Sequence, residues 1–344
     1  MGRISDLLRQ ESRDWFSGPV EPVEPAGGSG PGTLVGPESA YVSLYLESMR
    51  MSAVRVRGQN FYGSVASTVK IASRSGQRAE LVAVATPSAL RGVDPRQLDR
   101  VVIGTFPLAG SVPYRGGGLD LEIGLFAFPA GYLLGPYLDL LGDVAAVASA
   151  FLPPAGALAS AALMPPVRKG LDLLFGAAAD ARLEVGLACT WDRPRTGYHA
   201  VVTAPEPPGG FRIGAGGRLL NPDGGDVRAA HLVLRLDASQ NRPDWASIPD
   251  VFAAYQVIAD AARRGDLVAA RDALAAFRRT AVFSPDLLAA DGLRLHELVE
   301  DLVKQAFPGT RTTRGAVASD FPALADVPLF APAPGAGGAA GWAK

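Results

Sequence analysis

Acid–base or nucleophilic chemistry in this chain would fall first to His199, His231 and Cys189. Each histidine lies in a strand-patterned segment. Either would serve as a general base if a hydroxyl or thiol and an orienting carboxylate converged on it. No Gly-x-Ser-x-Gly elbow accompanies them, so a hydrogen-bonded sheet histidine is the expectation for both. Cys189 sits between Ala188 and Thr190 on a half-buried strand pattern, which suits a small core group better than an activated thiolate. A third histidine opens His296-Glu297-Leu298-Val299-Glu300, which superficially resembles a zinc-protease helix. Glu300 stands where the second imidazole ligand is needed, so the segment reads as a charged helix face.

Glycine-rich and acidic segments fail the same chemical tests. Gly214-Ala215-Gly216-Gly217 has Leu219 where a dinucleotide fingerprint needs its last glycine, and the turn Asn221–Gly225 follows instead of a helix. Gly116-Gly117-Gly118 precedes a strand, the reverse of a phosphate loop. Asp94, Asp99 and Asp120 would suit calcium at a sheet edge, yet Arg91, Arg96 and Arg100 neutralise the first two equally well. Arg50, Arg55 and Arg57 with Phe61 and Tyr62 make a small basic-aromatic patch, too slight to mark a nucleic-acid binder. The residues therefore imply no cofactor, no metal and no catalytic centre.

Composition narrows the class. Hydrophobic residues form 48% of the chain and charged ones 19%, enough to bury a sizeable core. Net charge is −1, so no global field draws in nucleic acid or anionic lipid. Lysine occurs only at positions 70, 169, 304 and 344 while arginine, alanine, glycine and proline abound, the signature of a GC-rich bacterial genome. One cysteine permits no intrachain disulfide, and the charged N-terminus lacks a secretory core. A cytoplasmic protein is expected.

The elements that would position these residues are predominantly strands. Val42, Leu44 and Leu46 alternate with polar neighbours, and further strands are predicted at 53–57, 64–72, 79–86, 100–106, 119–128, 181–191, 198–204 and 230–237. The polar stretch Thr190–His199 predicts a hairpin. Leu121-Glu122-Ile123-Gly124-Leu125 recurs as Leu183-Glu184-Val185-Gly186-Leu187, which predicts two strands in similar surroundings and allows them to be neighbours; a ligand site built on both glutamates is the lesser reading. The fold class is α+β: an antiparallel sandwich or barrel-like body over 39–245, then a three-helix module over 246–307. A charge-free, alanine-rich stretch within 132–176 interrupts the strands. Paired prolines argue against a membrane span, so short inserted helices are expected there.

Helices are predicted at 250–264, 266–282 and 286–305, with Asp266 capping the second and Ser284-Pro285-Asp286 opening the third. Val251, Phe252, Tyr255, Ile258, Ala259 and Ala262 form the first apolar face. Gly265, Ala270 and Leu274 resemble the second half of a tetratricopeptide repeat across about thirty residues, but its aromatic signature and its companion repeats are missing. That resemblance carries no peptide-binding function. Residues 308–344 read as a Pro/Gly/Ala-rich tail, much of it disordered.

At the N-terminus, helical spacing puts Ile4, Leu7, Leu8 and Trp15 on one face with Phe16 at its edge, ahead of a flexible linker over 17–38. A tethered helix of this kind suits docking to a protein partner. Together these features predict a non-catalytic interaction or structural adaptor subunit of a bacterial intracellular assembly. Two other readings stand beside it: a membrane-acting effector inserting 132–176 into lipid, and a hydrolase of unrecognised type using His199 or His231.

Overall fold

The structure is a computed structural model, and it describes residues 15–24, 32–52, 55–56, 59–74, 78–85, 102–129, 182–307 and 321–330. The chain divides at Gln240/Asn241 into two compact units. The alanine-rich stretch of 132–176 lies outside the described residues.

The first unit is a two-sheet body. Its strands are β1 (Phe16–Pro22), β2 (Tyr41–Arg50), β3 (Arg55–Val56), β4 (Gln59–Ala72), β5 (Arg78–Ala85), β6 (Val102–Pro113), β7 (Leu119–Pro129), β8 (Arg182–Trp191), β9 (Gly197–Val202), β10 (Arg212–Ile213), β11 (Leu219–Leu220) and β12 (His231–Ser239). One sheet runs β11-β10-β1-β9-β12-β2-β6; the other runs β3-β4-β7-β8, with β5 also paired to β4. Of the pairings described, only β1 with β10 is parallel. Val42, Leu44 and Leu46 of β2 and Leu232, Leu234 and Leu236 of β12 share one core with Val65, Val69 and Ile71 of β4 and Leu121, Ile123 and Leu125 of β7. Period-two alternation in the sequence thus becomes one buried interface between the sheets.

The repeated pentapeptides are direct neighbours. β7 and β8 pair antiparallel with Gly124 opposite Gly186, Ile123 opposite Leu187 and Leu125 opposite Val185. Gly124 makes room for a neighbour: the Phe126 ring folds back over it to within 2.8 Å of where a β-carbon would sit. The ladder slips between Leu125 and Phe126, leaving Glu184 out of register. It accepts hydrogen bonds from the Ser52 backbone N–H and hydroxyl instead. The two glutamates therefore build no common site.

Three expectations for the body need correction. Thr190–His199 is no hairpin: β8 belongs to one sheet and β9 to the other, so the turn residues carry the chain between layers. Turn chemistry marks a change of direction without naming the partner strand. Phe16 begins a strand, not the edge of a helix, and much of the expected linker is built in. β1 pairs with β9 over Phe16–Val20, and Val35 is buried with its N–H donated to the Pro194 carbonyl. Proline and glycine in Phe16–Pro22 mask a period-two pattern in which Phe16 and Val20 join one small core with Phe211, Ile213 and Val227.

The second unit holds α1 (Pro249–Arg263), α2 (Leu267–Phe283) and α3 (Ala289–Ala306). Asp266 caps α2 as expected, its carboxylate accepting from the Ala269 N–H at 3.0 Å. Val251, Tyr255, Ile258 and Ala262 are buried on α1, but Phe252 is exposed because it flanks the stripe set by its i, i+4, i+7 neighbours. Gly292 is where α2 and α3 touch backbone to side: a β-carbon there would collide with the Ala281 carbonyl. Residues 321–330, within the Pro/Gly/Ala-rich tail, also belong to this core; the rest of that tail lies outside the described residues. Phe321, Leu324, Val327 and Leu329 are buried, and the Tyr255 hydroxyl donates to the Pro322 carbonyl at 2.8 Å.

The start of α3 differs for a chemical reason. Arg242 and Asp286 are both fully enclosed, and the guanidinium donates to the carbonyl and carboxylate of Asp286 as well as to Asp244. The Ser284 hydroxyl accepts from the Asp286 N–H at 3.1 Å. Ser284–Asp286 is therefore committed to holding a buried ion, and the helix begins three residues later at Ala289. The second unit begins at Asn241, a few residues before the expected 245/246 boundary, and so includes Arg242.

Candidate interaction groove

In the body, the sheets bring one pair together that the sequence concealed. The Ser17 hydroxyl on β1 lies 3.1 Å from His199 Nε2 on β9. Trp191 tilts against the imidazole with ring centroids 5.2 Å apart. Burial depresses the His199 pKa to about 4, which makes it a weak base at neutral pH. No carboxylate hydrogen-bonds or ion-pairs with it among the described residues, so Ser17 has a partner but no activated one. His231 sits on the opposite side of the β9–β12 ladder from this pair, fully enclosed, with Nδ1 against the Ala229 carbonyl at 3.0 Å. Its pKa also falls to about 4, chiefly through burial. Cys189 is half-buried against the core, and burial raises its thiol to about 11, as a structural sulfur requires.

Other sequence candidates resolve into structural roles. Gly217 adopts φ +76° and lies where a β-carbon would meet Glu47, so the loop rests directly on the sheet, and its carbonyl accepts from the Ser48 hydroxyl at 2.6 Å. Glu47 beneath it accepts from Arg235 Nε at 2.7 Å. Asp120 is engaged by Arg78 and by the Thr190 hydroxyl. Asp94, Asp99 and Arg57 lie outside the described residues. Among the described residues, no group of three or more metal-ligating side chains converges.

The expected docking residues separate. Ile4, Leu7 and Leu8 lie outside the described residues. Trp15 packs against the main core and Phe16 stacks edge-on to Phe211 at 5.2 Å, on opposite sides of the sheet. Both aromatic rings are engaged within the body.

A different surface offers docking geometry. α2 and α3 enclose an open groove of about 670 Å³, lined on the α2 side by Arg271, Leu274, Ala275, Arg278, Arg279, Val282 and Phe283. Leu293, His296 and Glu300 line the α3 side. The α2 residues recur at i, i+3, i+4, i+7 and i+8, one continuous helix face. Phe283 is 67% exposed and Leu293 45%, a large apolar outlay for a surface. Arg271, Arg278 and Arg279 form no salt bridge among the described residues. Across the groove Glu300 is already paired: Lys304 lies 3.0 Å from it and 3.2 Å from Asp301, and His296 Nε2 lies 3.8 Å from Glu300. The His296 imidazole is held below its ordinary pKa, first by burial, with Arg278 contributing against the pull of Glu300.

No family model, curated protein or solved structure matches this chain. Among the described residues, no helix is long and apolar enough to cross a membrane. The signal that could have found the groove was present in sequence: Arg271, Arg278 and Arg279 share a face of α2 with Leu274, a mixture that an exposed helix has no need to assemble.

Proposed function

We propose that this protein is a non-catalytic adaptor or structural subunit of a bacterial intracellular assembly, and that its helical unit docks a protein partner in the α2/α3 groove. The observation carrying this reading is the groove itself: exposed Phe283 and Leu293 beside three arginines without a salt bridge, on two well-packed helices. Interfaces concentrate apolar anchors and arginine in this way. The enclosed Arg242 and the deep helical core give the groove rigid walls, which lowers the ordering cost of binding.

Leu293→Asp tests it. The side chain is exposed on the surface of α3 and outside the buried helical core, so folding is retained. A charge pressed into an apolar contact should cost about 2 kcal/mol, roughly 30-fold in affinity. In extracts of the source cell, the wild-type chain should elute from a sizing column well above its own 35.7 kDa and the variant should fall toward that mass. Equal elution of the two, at either size, contradicts the proposal.

A further inference from the structure

We infer that the segment docked in this groove is an acidic amphipathic helix with its charge on one flank only, carboxylates facing Arg271, Arg278 and Arg279 and apolar side chains facing Leu274 and Leu293. This rests on the reading of the groove as the docking site.

Asymmetry between the walls carries the argument. The α2 wall presents three guanidiniums with no salt bridge among the described residues, whereas the α3 wall presents a glutamate already neutralised by Lys304. Seven residues at 1.5 Å each separate Arg271 from Arg278 by about 10 Å, two helical turns. Carboxylates spaced i, i+7 on a partner helix match that interval, and guanidinium–carboxylate pairs are directional, two-pronged contacts. Leu274 and Ala275 line the groove between the arginines, and Leu293 lines it toward the end where Gly292 of α3 abuts Ala281 of α2, a spread that suits apolar anchors at i, i+3 or i+4 and i+7.

A nucleic-acid strand fits less well. Its charge is continuous, whereas cationic side chains without a salt bridge among the described residues line the α2 wall alone. The whole chain carries −1, so the positive surface is local to α2. A helix with one acidic flank satisfies both walls.

Fluorescence anisotropy on the full chain tests this with three probes: a labelled leucine-rich helix of about 18 residues bearing glutamates on one flank, the same helix with lysines, and oligothymidine. The glutamate probe should bind at least about tenfold tighter than the lysine probe, with affinity falling as salt rises. Arg278→Glu with Arg279→Glu should reverse that preference while circular dichroism is unchanged. Arg271→Glu, at the far end, should weaken the glutamate probe alone. Equal binding of the two peptides overturns the acidic assignment, as does displacement of the glutamate probe by equimolar oligothymidine. If neither peptide binds but Leu293→Asp still dissolves the native assembly, the docking site stands and the acidic partner does not.

Discussion

Asp286→Ala should destabilise the helical unit by about 3–5 kcal/mol, enough to remove much of the stability of an ordinary domain. Asp286 and Arg242 are each 0% exposed, so the substitution would leave a guanidinium inside the protein with only Asp244 to balance it. The backbone contacts of residue 286, its N–H to the Ser284 hydroxyl and its carbonyl to Arg242, survive the substitution, so the loss reads the carboxylate alone. Urea denaturation of the full chain, followed by far-UV circular dichroism, should show the helical transition at a much lower midpoint. Arg242→Met gives the informative contrast. It takes the guanidinium away from the fully enclosed Asp286 carboxylate, whereas Asp286→Ala still leaves Arg242 beside Asp244, so the loss should be at least as large as for Asp286→Ala. An Asp286→Ala midpoint within experimental error of wild type would show that the ion is not structurally required.

The sandwich should lose stability on mild acidification, through its two buried histidines. Both fold with pKa near 4, against about 6.5 in the unfolded chain. Between those values the unfolded state binds protons that the folded state refuses, so stability is complete above pH about 7 and declines as pH falls through 6.5 toward 4. Each fully buried histidine contributes a slope of about 1.4 kcal/mol per pH unit, so His231 alone should cost about 2 kcal/mol by pH 5. Half-buried His199 adds a smaller loss because solvent reaches its ring. Carboxylates remain mostly ionised down to pH 5, which leaves this window to the histidines. His231→Asn retains an amide near the Ala229 carbonyl and removes the titration, so its urea midpoint should vary less between pH 7 and 5. A wild-type midpoint that is flat across that window would contradict the burial of both imidazoles.

Much of the architecture is legible where local periodicity and tertiary burial coincide. The Gly124 and Gly186 strands announce their kinship because each needs the same alternation of core leucine and outward glycine, and they prove to be paired through those glycines. Asp266 shows its cap because capping is a local hydrogen bond. β1 is hidden because Gly18 and Pro19 depress strand propensity, while its stability comes from pairing with β9, far away in sequence. Partnership of β8 with β7 and not β9 is likewise non-local, since a turn does not reveal which layer it leads to. Arg242 escapes notice for the same reason: its carboxylates arrive from the neighbouring residue 244 and from residue 286, across two helices.

The site was less legible than the fold. Catalytic patterns could be tested and set aside residue by residue, because nucleophiles and metal ligands obey strict spacing. A docking groove has no such grammar. Leu293 and Phe283 look like core residues until the packing of α2 on α3 leaves them outside, and the arginines of α2 look like an ordinary solvated face until Glu300 on the opposite wall is seen to be paired already.

Position-resolved covalent trapping tests the docking site most directly. A photo-crosslinking residue placed at Ala275, inside the groove, is compared in the source cell with one at exposed Val257 on α1. The groove position should yield one discrete adduct, lost in the Leu293→Asp background, and the α1 position should yield none. An adduct from Val257 with none from Ala275 would place the partner elsewhere and end the case for the groove.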